Sequence, residues 1–228
     1  MSHPLDRPIW SSLATRHAGF RQGGDLAWRY PAEISPFVVA RDGSAEAVAE
    51  MAGLIGAGDD ASLVEAAPPP APAGFEASEA VLVQMTAREL AAPRAPLPDP
   101  EIIELGDDDA PEMLALATLT RPGPFRARTH RLGRFLGVRK DGRLAAMCGE
   151  RLNVDGFHEL SALCTHPDER GKGLGEALFR VVAERILSEG DTVFLHSYAS
   201  NAPAVALYRR LGFEPRAEVI HAMWRRLP

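Results

Sequence analysis

The stretch Arg170-Gly171-Lys172-Gly173-Leu174-Gly175 decides the fold when it is read with the segments on either side of it. Residues 158–165, before it, have the composition of a strand, and residues 176–187, after it, have that of a helix. Glycines let backbone N–H groups approach an anion, and the dipole at a helix N-terminus favours negative charge. The sequence therefore predicts a site for the diphosphate of a nucleotide or coenzyme.

Composition narrows the class of protein further. Of 228 residues, 46% are hydrophobic and 25% are charged, which is typical of a globular protein with one large domain or two small ones. The formal net charge of −6 argues against a dedicated nucleic-acid binder. Residues 1–10 lack the apolar stretch of a signal peptide, and no run approaches the ~18 apolar residues of a membrane span. We therefore expect a cytoplasmic protein without a membrane partner.

Neither the cysteines nor the acidic run predicts a metal site. Cys148 and Cys164 lie in strand-like surroundings and form no CxxC pair, so we expect buried free thiols. In the acidic run, Asp109 stands three residues before Glu112 with Pro111 between them, which is the pattern of a helix start with capping chemistry.

Proline and alanine concentrate in two segments, residues 66–73 and 91–100. Both are poor in helix and strand formers. The second predicts a domain boundary, which gives a smaller N-terminal α/β domain over residues 1–95 and a second domain over residues 96–228. The first predicts a loop between two strands of the N-terminal half.

The N-terminal half carries no chemistry motif. Ser44 is positioned to cap a helix that runs to about Ile55. Trp10, Trp28 and Tyr30 are expected to be packing residues, with a role in covering a substrate pocket as the alternative. Predicted strands cover residues 36–40, 62–66 and 80–86.

The C-terminal half predicts antiparallel strands before the glycine-rich loop and a mixed arrangement after it. Asp-Gly at residues 141–142 and at 155–156 marks two hairpin turns. Asn201 opens a helix that Gly212 ends. The predicted strands are residues 101–105, 134–139, 144–152, 158–165 and 192–196, and residues 213–215 with 219–224 are predicted to close the sheet as a further hairpin.

Five arginines lie between residues 121 and 134. One interpretation is a solvated surface. The other is an entrance for an acidic substrate or for coenzyme phosphates, because a guanidinium group can bind two oxygens of one carboxylate or phosphate at once. These residues are Arg121, Arg126, Arg128, Arg131 and Arg134.

Two separated motifs in the C-terminal half resemble those of the GNAT superfamily of acyl-CoA-dependent N-acyltransferases. The loop at residues 170–175 is similar to the family's Arg/Gln-x-x-Gly-x-Gly/Ala pyrophosphate loop. Downstream, Asn201, Ala204, Leu207-Tyr208 and Gly212-Phe213 are similar to the family's Asn-x-x-Ala-x-x-Leu-Tyr-x-x-x-Gly-Phe run. The resemblance covers about residues 100 to 228 and implies an α/β (α+β) fold: a mixed, mainly antiparallel twisted sheet flanked by helices. The two-part chain also resembles the glycine N-acyltransferase-like branch.

Two other phosphate-binding motifs fit the loop less well. A Rossmann motif needs a third glycine and a parallel βαβ unit, whereas this loop follows predicted antiparallel hairpins. A P-loop needs Ser or Thr after Gly-Lys, but Gly173 follows Lys172.

The resemblance implies a binding site for acetyl-CoA or another acyl-CoA as cosubstrate, without a metal. The backbone of Leu163, Cys164 and Thr165 would pair with the amide-bearing pantetheine arm, because those amides need partners. Asn201 either caps its helix, binds the coenzyme, or does both. The diphosphate would lie against Arg170, Gly171, Lys172, Gly173, Leu174 and Gly175.

The resemblance also implies an acid and a base. Tyr208 matches a tyrosine near the coenzyme sulfur and is the predicted general acid, with a buried packing residue as the alternative. Glu159 is the first candidate for the base, because some family members, notably histone-type acetyltransferases, carry a catalytic glutamate at its offset before the loop. Strand alternation puts Glu159 on the face of Ser161 and Leu163, and an apolar cleft there would raise its pKa. The alternative for Glu159 is a polar residue at a strand start. Further candidates are Glu150, His158 and His196.

The sequence therefore predicts an N-acetyltransferase in which a primary amine attacks the thioester directly in a ternary complex. The alternative is a non-catalytic module that senses acyl-CoA. A small-molecule acceptor is favoured over a protein, and a homodimer is left open. The N-terminal half would be a degenerate copy of the fold or an accessory domain that shapes the acceptor pocket.

Overall fold

The computed structural model describes residues 3–228 and contains two sheets and five α-helices. The helices are α1 (Pro8–Ala14), α2 (Ala45–Gly53), α3 (Ala110–Thr120), α4 (Leu174–Ser188) and α5 (Ala202–Arg210). The strands are β1 (Gln22–Gly23), β2 (Ala27–Arg29), β3 (Val38–Ala40), β4 (Asp60–Glu65), β5 (Phe75–Ala87), β6 (Ile102–Leu105), β7 (Phe135–Lys140), β8 (Arg143–Val154), β9 (Phe157–Thr165), β10 (Thr192–Tyr198) and β11 (Glu214–Arg226).

The larger sheet has eight strands in the order β4-β11-β5-β10-β9-β8-β7-β6. Every neighbouring pair in it is antiparallel except β9 with β10. The smaller sheet, β1-β2-β3, is antiparallel throughout. The predicted mixed, mainly antiparallel sheet is therefore confirmed.

Helices α4 and α3 cover opposite faces of the strands that carry the glycine-rich loop. Leu178 and Val182 of α4 pack in one cluster with Cys148 of β8. Met113 of α3 packs in another with Met147, the neighbouring residue of the same strand. Successive strand residues point to opposite faces, so the sheet is buried on both sides here. This close packing fixes the position of the loop at the start of α4.

The larger sheet continues across the predicted domain boundary near residue 95. Strand β5 precedes that boundary, yet it lies between β10 and β11, which follow it. The division into two domains stays a prediction, but hydrogen bonding joins its two sides in one sheet.

Several local predictions are confirmed. The Ser44 hydroxyl accepts a hydrogen bond from the Ala47 amide at 3.3 Å and so caps α2. Asp141 and Gly142 take positive φ values of 51° and 78°, as a tight hairpin turn between β7 and β8 requires. Both cysteines are buried free thiols, and burial raises the pKa of Cys164 to about 11.

Two local predictions are wrong. The segment after α5 is not a hairpin but one strand, β11, which pairs with both β4 and β5. The interruption at Pro215–Ala217 is a bulge in that strand, where an extra residue shifts the register without reversing the chain. The predicted cap of α3 by Asp109 is the second error. The Asp109 carboxylate accepts a hydrogen bond from the Gly106 amide at 2.9 Å, outside the helix, and does not cap α3.

The N-terminal aromatic residues are packing residues. Tyr30 is fully buried, and Trp10 and Trp28 stack with their ring centroids 3.8 Å apart. Arg7 and Arg21 lie over the two tryptophan rings. In the described range, no helix is long and apolar enough to cross a bilayer.

Candidate active site

Strands β9 and β10 separate in the middle of the larger sheet. Their pairing ends at Glu159 and Phe194. Beyond that point β9 runs on to Thr165 against β8, whereas β10 runs on to Tyr198 against β5. The gap leaves one edge of β9 without a strand partner, so its backbone groups can pair with a ligand that carries amides.

A bulge reverses the side-chain alternation of β9 inside the gap. Ala162 has a φ of 53°, in the left-handed region, and the register with β8 shifts beside it. Leu160 and Leu163 consequently pack in the same cluster as α4, three residues apart. The prediction that Glu159 shares a face with Leu163 is therefore wrong, because strict alternation does not survive a bulge.

The glycine-rich loop has the conformation that the sequence predicts. Gly171 and Gly173 have φ values of 76° and 75°, and Gly173 is the N-cap residue directly before α4. A Cβ at Gly173 would lie 2.9 Å from Cδ of Pro98, and one at Gly175 would lie 3.0 Å from Oγ1 of Thr165. Larger residues would be strained or would fill the space in front of the helix N-terminus.

A cavity of about 380 Å³ lies against this loop. Nearly all predicted coenzyme residues of the strand and loop line it: Leu163, Cys164, Thr165, Arg170, Gly171, Gly173, Leu174 and Gly175. Lys172 does not line it, and its ammonium group pairs at 2.9 Å with Glu169, which does.

A second cavity, also of about 380 Å³, occupies the gap between β9 and β10, and we call it the central cavity. It shares Thr120, Leu163 and Leu207 with the loop cavity, so the two cavities adjoin, and we call the pair the groove. Asn201 and Tyr208 of the second motif line the central cavity. The structure thus brings the two sequence motifs to the two ends of a single groove.

Tyr208 is a protonated phenol in this groove. Burial raises its pKa to about 12. Its ring lies against Phe179 and Phe213, and its hydroxyl has no hydrogen-bond partner in the part of the chain that the structure describes. At neutral pH the group can donate a hydrogen bond, although a raised pKa makes it a weaker acid than the sequence suggested.

Asn201 caps α5. Its side-chain oxygen accepts from the Ala204 amide at 3.3 Å. The capping interpretation is confirmed, and contact with the coenzyme stays a prediction.

Glu159 lies in very different surroundings from those predicted. It is fully buried, and both of its oxygens accept from Arg151, at 2.8 and 2.6 Å. Burial opposes its ionisation, but Arg151 and His196 outweigh that effect and lower its pKa to about 2. The predicted apolar cleft and raised pKa are therefore wrong, and the carboxylate is a poor proton acceptor.

The reserve candidate His196 is held in a single tautomer. The side-chain oxygen of Gln84 accepts a hydrogen bond from Arg216, and its side-chain nitrogen donates one to the Leu5 carbonyl. These two bonds fix the orientation of the Gln84 amide. The same nitrogen of Gln84 therefore also donates to Nε2 of His196, at 3.0 Å. Nδ1 of His196 then carries the proton and donates to Glu159 at 2.7 Å. Both ring nitrogens are occupied, so His196 orients Glu159.

The other reserve candidates belong to a separate ion network. Nδ1 of His158 lies 3.3 Å from Glu150 and its Nε2 lies 3.0 Å from Asp191. Burial opposes ionisation of Glu150, but His158 and Arg185 more than offset it and lower its pKa. Neither residue lines the central cavity.

The polar residues of the central cavity that the sequence did not single out include Arg151, Tyr198 and His221. The Tyr198 hydroxyl lies 3.3 Å from Nδ1 of His221. Burial lowers the pKa of His221 to about 4, and its buried Nε2 has no partner among residues 3–228. Each lies on a strand without a local motif, so only the three-dimensional structure brings them together.

The basic segment divides between the two interpretations. Arg131 pairs with Asp107 at 2.6 Å, and Arg134 lies 3.8 Å from Glu104, as for a solvated surface. Arg121 instead lines the central cavity. It also lines a neighbouring cavity of about 690 Å³, which Arg126 borders as well.

Comparisons with known proteins agree with this geometry. Residues 135–224 match the family profile described as FR47-like protein. A crystal structure titled "Putative Acetyltransferase from the GNAT family", from Novosphingobium aromaticivorans, is 40% identical over 100% of both chains, with a TM-score of 0.89. The chain therefore belongs to the GNAT family.

The curated relatives match only part of this chain. A "Putative ribosomal protein bS18-alanine N-acetyltransferase" of Bacillus subtilis is 36% identical over 36% of this chain and 54% of its own. A mycothiol acetyltransferase of Clavibacter michiganensis is 42% identical over 34% of this chain and 25% of its own. The chain thus spans about half of the first relative and a quarter of the second. The glycine N-acyltransferase branch is not among these matches.

Proposed function

We propose that the protein is an acetyltransferase that transfers the acetyl group of acetyl-CoA to a primary amine. The observation that carries the proposal is that the cavity at the glycine-rich loop adjoins the cavity in the gap between β9 and β10. A diphosphate fits the loop end, and an amide-bearing arm fits the free edge of β9. The thioester then lies in the central cavity.

The cavity supports direct transfer. The neutral amine attacks the thioester carbon, a C–N bond forms, the C–S bond breaks, and the amine loses a proton. The bulge at Ala162 turns the backbone of β9 at the site of attack, where a backbone N–H can stabilise the oxyanion. Tyr208 donates a hydrogen bond to the sulfur as it leaves.

The proton of the amine needs an acceptor other than Glu159. His221 is neutral at pH 7 and lines the cavity, so it is our candidate to hold, by a hydrogen bond, the water molecule that carries the proton away. Glu159 acts instead by fixing Arg151 and His196 in the cavity wall.

The N-terminal part of the chain would shape the acceptor end. Phe37, Val64 and Leu82, all before the predicted boundary, line the central cavity away from the loop. This supports the accessory role, since the acceptor could not be enclosed by residues 96–228 alone.

The test is a panel of primary amines incubated with acetyl-CoA, with thiol release and product mass as readouts. We expect equal amounts of CoA and N-acetylated amine. Acetyl-CoA binding without transfer to any amine would favour the alternative of a sensor module.

A further inference from the structure

The charged residues of the central cavity are all basic. They are Arg121 and Arg151, and no aspartate or glutamate belongs to the described lining of this cavity. Glu159 lies behind the wall, with its side chain fully buried. A cavity for a polyamine or a lysine-rich peptide would need carboxylates to balance the ligand's charge.

Arg151 presents part of its guanidinium group to this cavity. Its Nε and Nη2 donate to Glu159, and Nη1 donates to no group among residues 3–228. Nη1 lies beside Gly123, a lining residue: a Cβ built on that glycine would be 3.7 Å from it. A guanidinium carries five N–H donors, so both donors of Nη1 are available to a ligand.

The orientation of Arg151 is set before any ligand arrives. Its side chain is only 11% exposed, its guanidinium carbon lies 5.2 Å from the centre of the Phe37 ring, and Glu159 holds the other edge. A fixed guanidinium loses little side-chain entropy when it binds a planar carboxylate.

Arg121 adds a second positive charge at the mouth. It is the exposed C-cap residue directly after α3, in a left-handed conformation with a φ of 52°, and it takes part in none of the ion pairs of the described residues. His221 is neutral at pH 7, since burial lowers its pKa to about 4. The negative charge of Glu159 neutralises the positive charge of Arg151. The net positive charge that attracts an anionic group into the cavity therefore comes from Arg121.

We propose that the acceptor is an amine that also carries a carboxylate, of the size of a free amino acid, and that Arg151 and Arg121 bind this carboxylate. The inference rests on the proposed function. The central cavity, at about 380 Å³, has room for such a ligand together with the end of the coenzyme arm. Binding of the carboxylate would direct the amino group toward the thioester.

The experiment compares acceptors that share one side chain: an amino acid, its primary amide and its decarboxylated amine. For the wild type we expect kcat/KM to be about 10- to 100-fold higher for the amino acid, as for a charge-assisted hydrogen bond. Arg151→Gln should lose most of this preference through KM. Arg151→Lys, which keeps the charge without the planar fork, should restore only part of it.

Controls separate binding from folding. Arg121 lies on the surface, so the Arg121→Gln variant should fold normally. It should lower the preference for the amino acid several-fold, which in free energy is about half the effect expected for Arg151→Gln. Arg128→Gln, an exposed arginine outside both cavities, should leave the preference unchanged. Calorimetry should give all variants the same acetyl-CoA affinity.

Equal or better use of the decarboxylated amine by the wild type would overturn this inference and leave the proposed function standing. Retention of the full preference in both Arg121→Gln and Arg151→Gln would overturn it as well. Binding of acetyl-CoA without transfer to any of the three acceptors would overturn the proposed function itself, and the inference with it.

Discussion

Glu159→Gln tests whether the buried carboxylate holds the site together or accepts the proton. Glutamine keeps the shape of the side chain but removes its charge. Arg151 would then remain buried without a counter-ion, and His196 would lose its charged partner. We therefore expect a large loss of stability.

The size of that loss follows from the pKa of Glu159. Its pKa falls from an ordinary 4.5 to about 2, and a difference of this size corresponds to roughly 3 kcal/mol of unfolding free energy at pH 7. Removing one partner of a buried ion pair typically lowers the unfolding free energy by ~3–5 kcal/mol, which agrees with the value from the pKa. For a chain of this length, 3 kcal/mol should lower Tm by about 6–12 °C.

Denaturant unfolding at pH 7 and at about pH 3 measures the effect and its sign. Since the folded-state pKa of Glu159 is lowered, its contribution is fully present above pH 4.5 and is lost as the pH falls through about 2. The difference between wild type and variant should therefore shrink at low pH. Glu218→Gln, an exposed glutamate of β11, is the matched control and should be within ±0.5 kcal/mol of wild type.

The pH–rate profile distinguishes the two roles of Glu159. We expect the variant to keep the shape of the wild-type profile and to raise KM for the acceptor, because Arg151 is no longer fixed. An unchanged Tm combined with the loss of the acidic limb, over which the rate rises with pH as a general base loses its proton, would refute the reasoning and restore Glu159 as the base.

Three further changes test other parts of the account. Tyr208→Phe should lower kcat about 10- to 100-fold with acetyl-CoA affinity nearly unchanged, as for loss of a hydrogen bond to a charged group; an unchanged kcat would exclude its role. Gly173→Glu should abolish acetyl-CoA binding in calorimetry, since its φ is 75° and a Cβ meets Pro98, whereas Gly43→Ala, in open space, should bind normally. Ser44→Ala should cost about 1 kcal/mol in urea unfolding without altering turnover, and a larger effect on turnover would contradict its purely structural role.

Features that depend on neighbouring residues were readable from the sequence. The positive φ values of Gly171 and Gly173, the cap at Ser44 and the turn at residues 141–142 all follow from local chemistry. The cavity at the glycine-rich loop is built almost entirely from such features, so the sequence could group the residues that line it, and their contact with a coenzyme stays a prediction.

Features that depend on distant partners were not readable. The pKa of Glu159 is set by Arg151 and His196, which alternation along β9 does not reveal. The bulge at Ala162 changes the faces of β9, and no glycine marks it. Strand β5 enters the middle of the larger sheet from the far side of a proline-rich segment, which the sequence predicted as a domain boundary.

Mass spectrometry of a single-turnover mixture tests the central claim most directly. Protein in excess over isotope-labelled acetyl-CoA would be quenched with and without an acceptor amine that the panel has identified, and the masses of the protein, CoA and amine would be measured. The account predicts that CoA appears only with the acceptor, that labelled N-acetyl product equals the CoA released, and that the protein gains no mass. Release of CoA without acceptor, an acetylated protein, or bound acetyl-CoA that never reacts would contradict direct transfer in this groove.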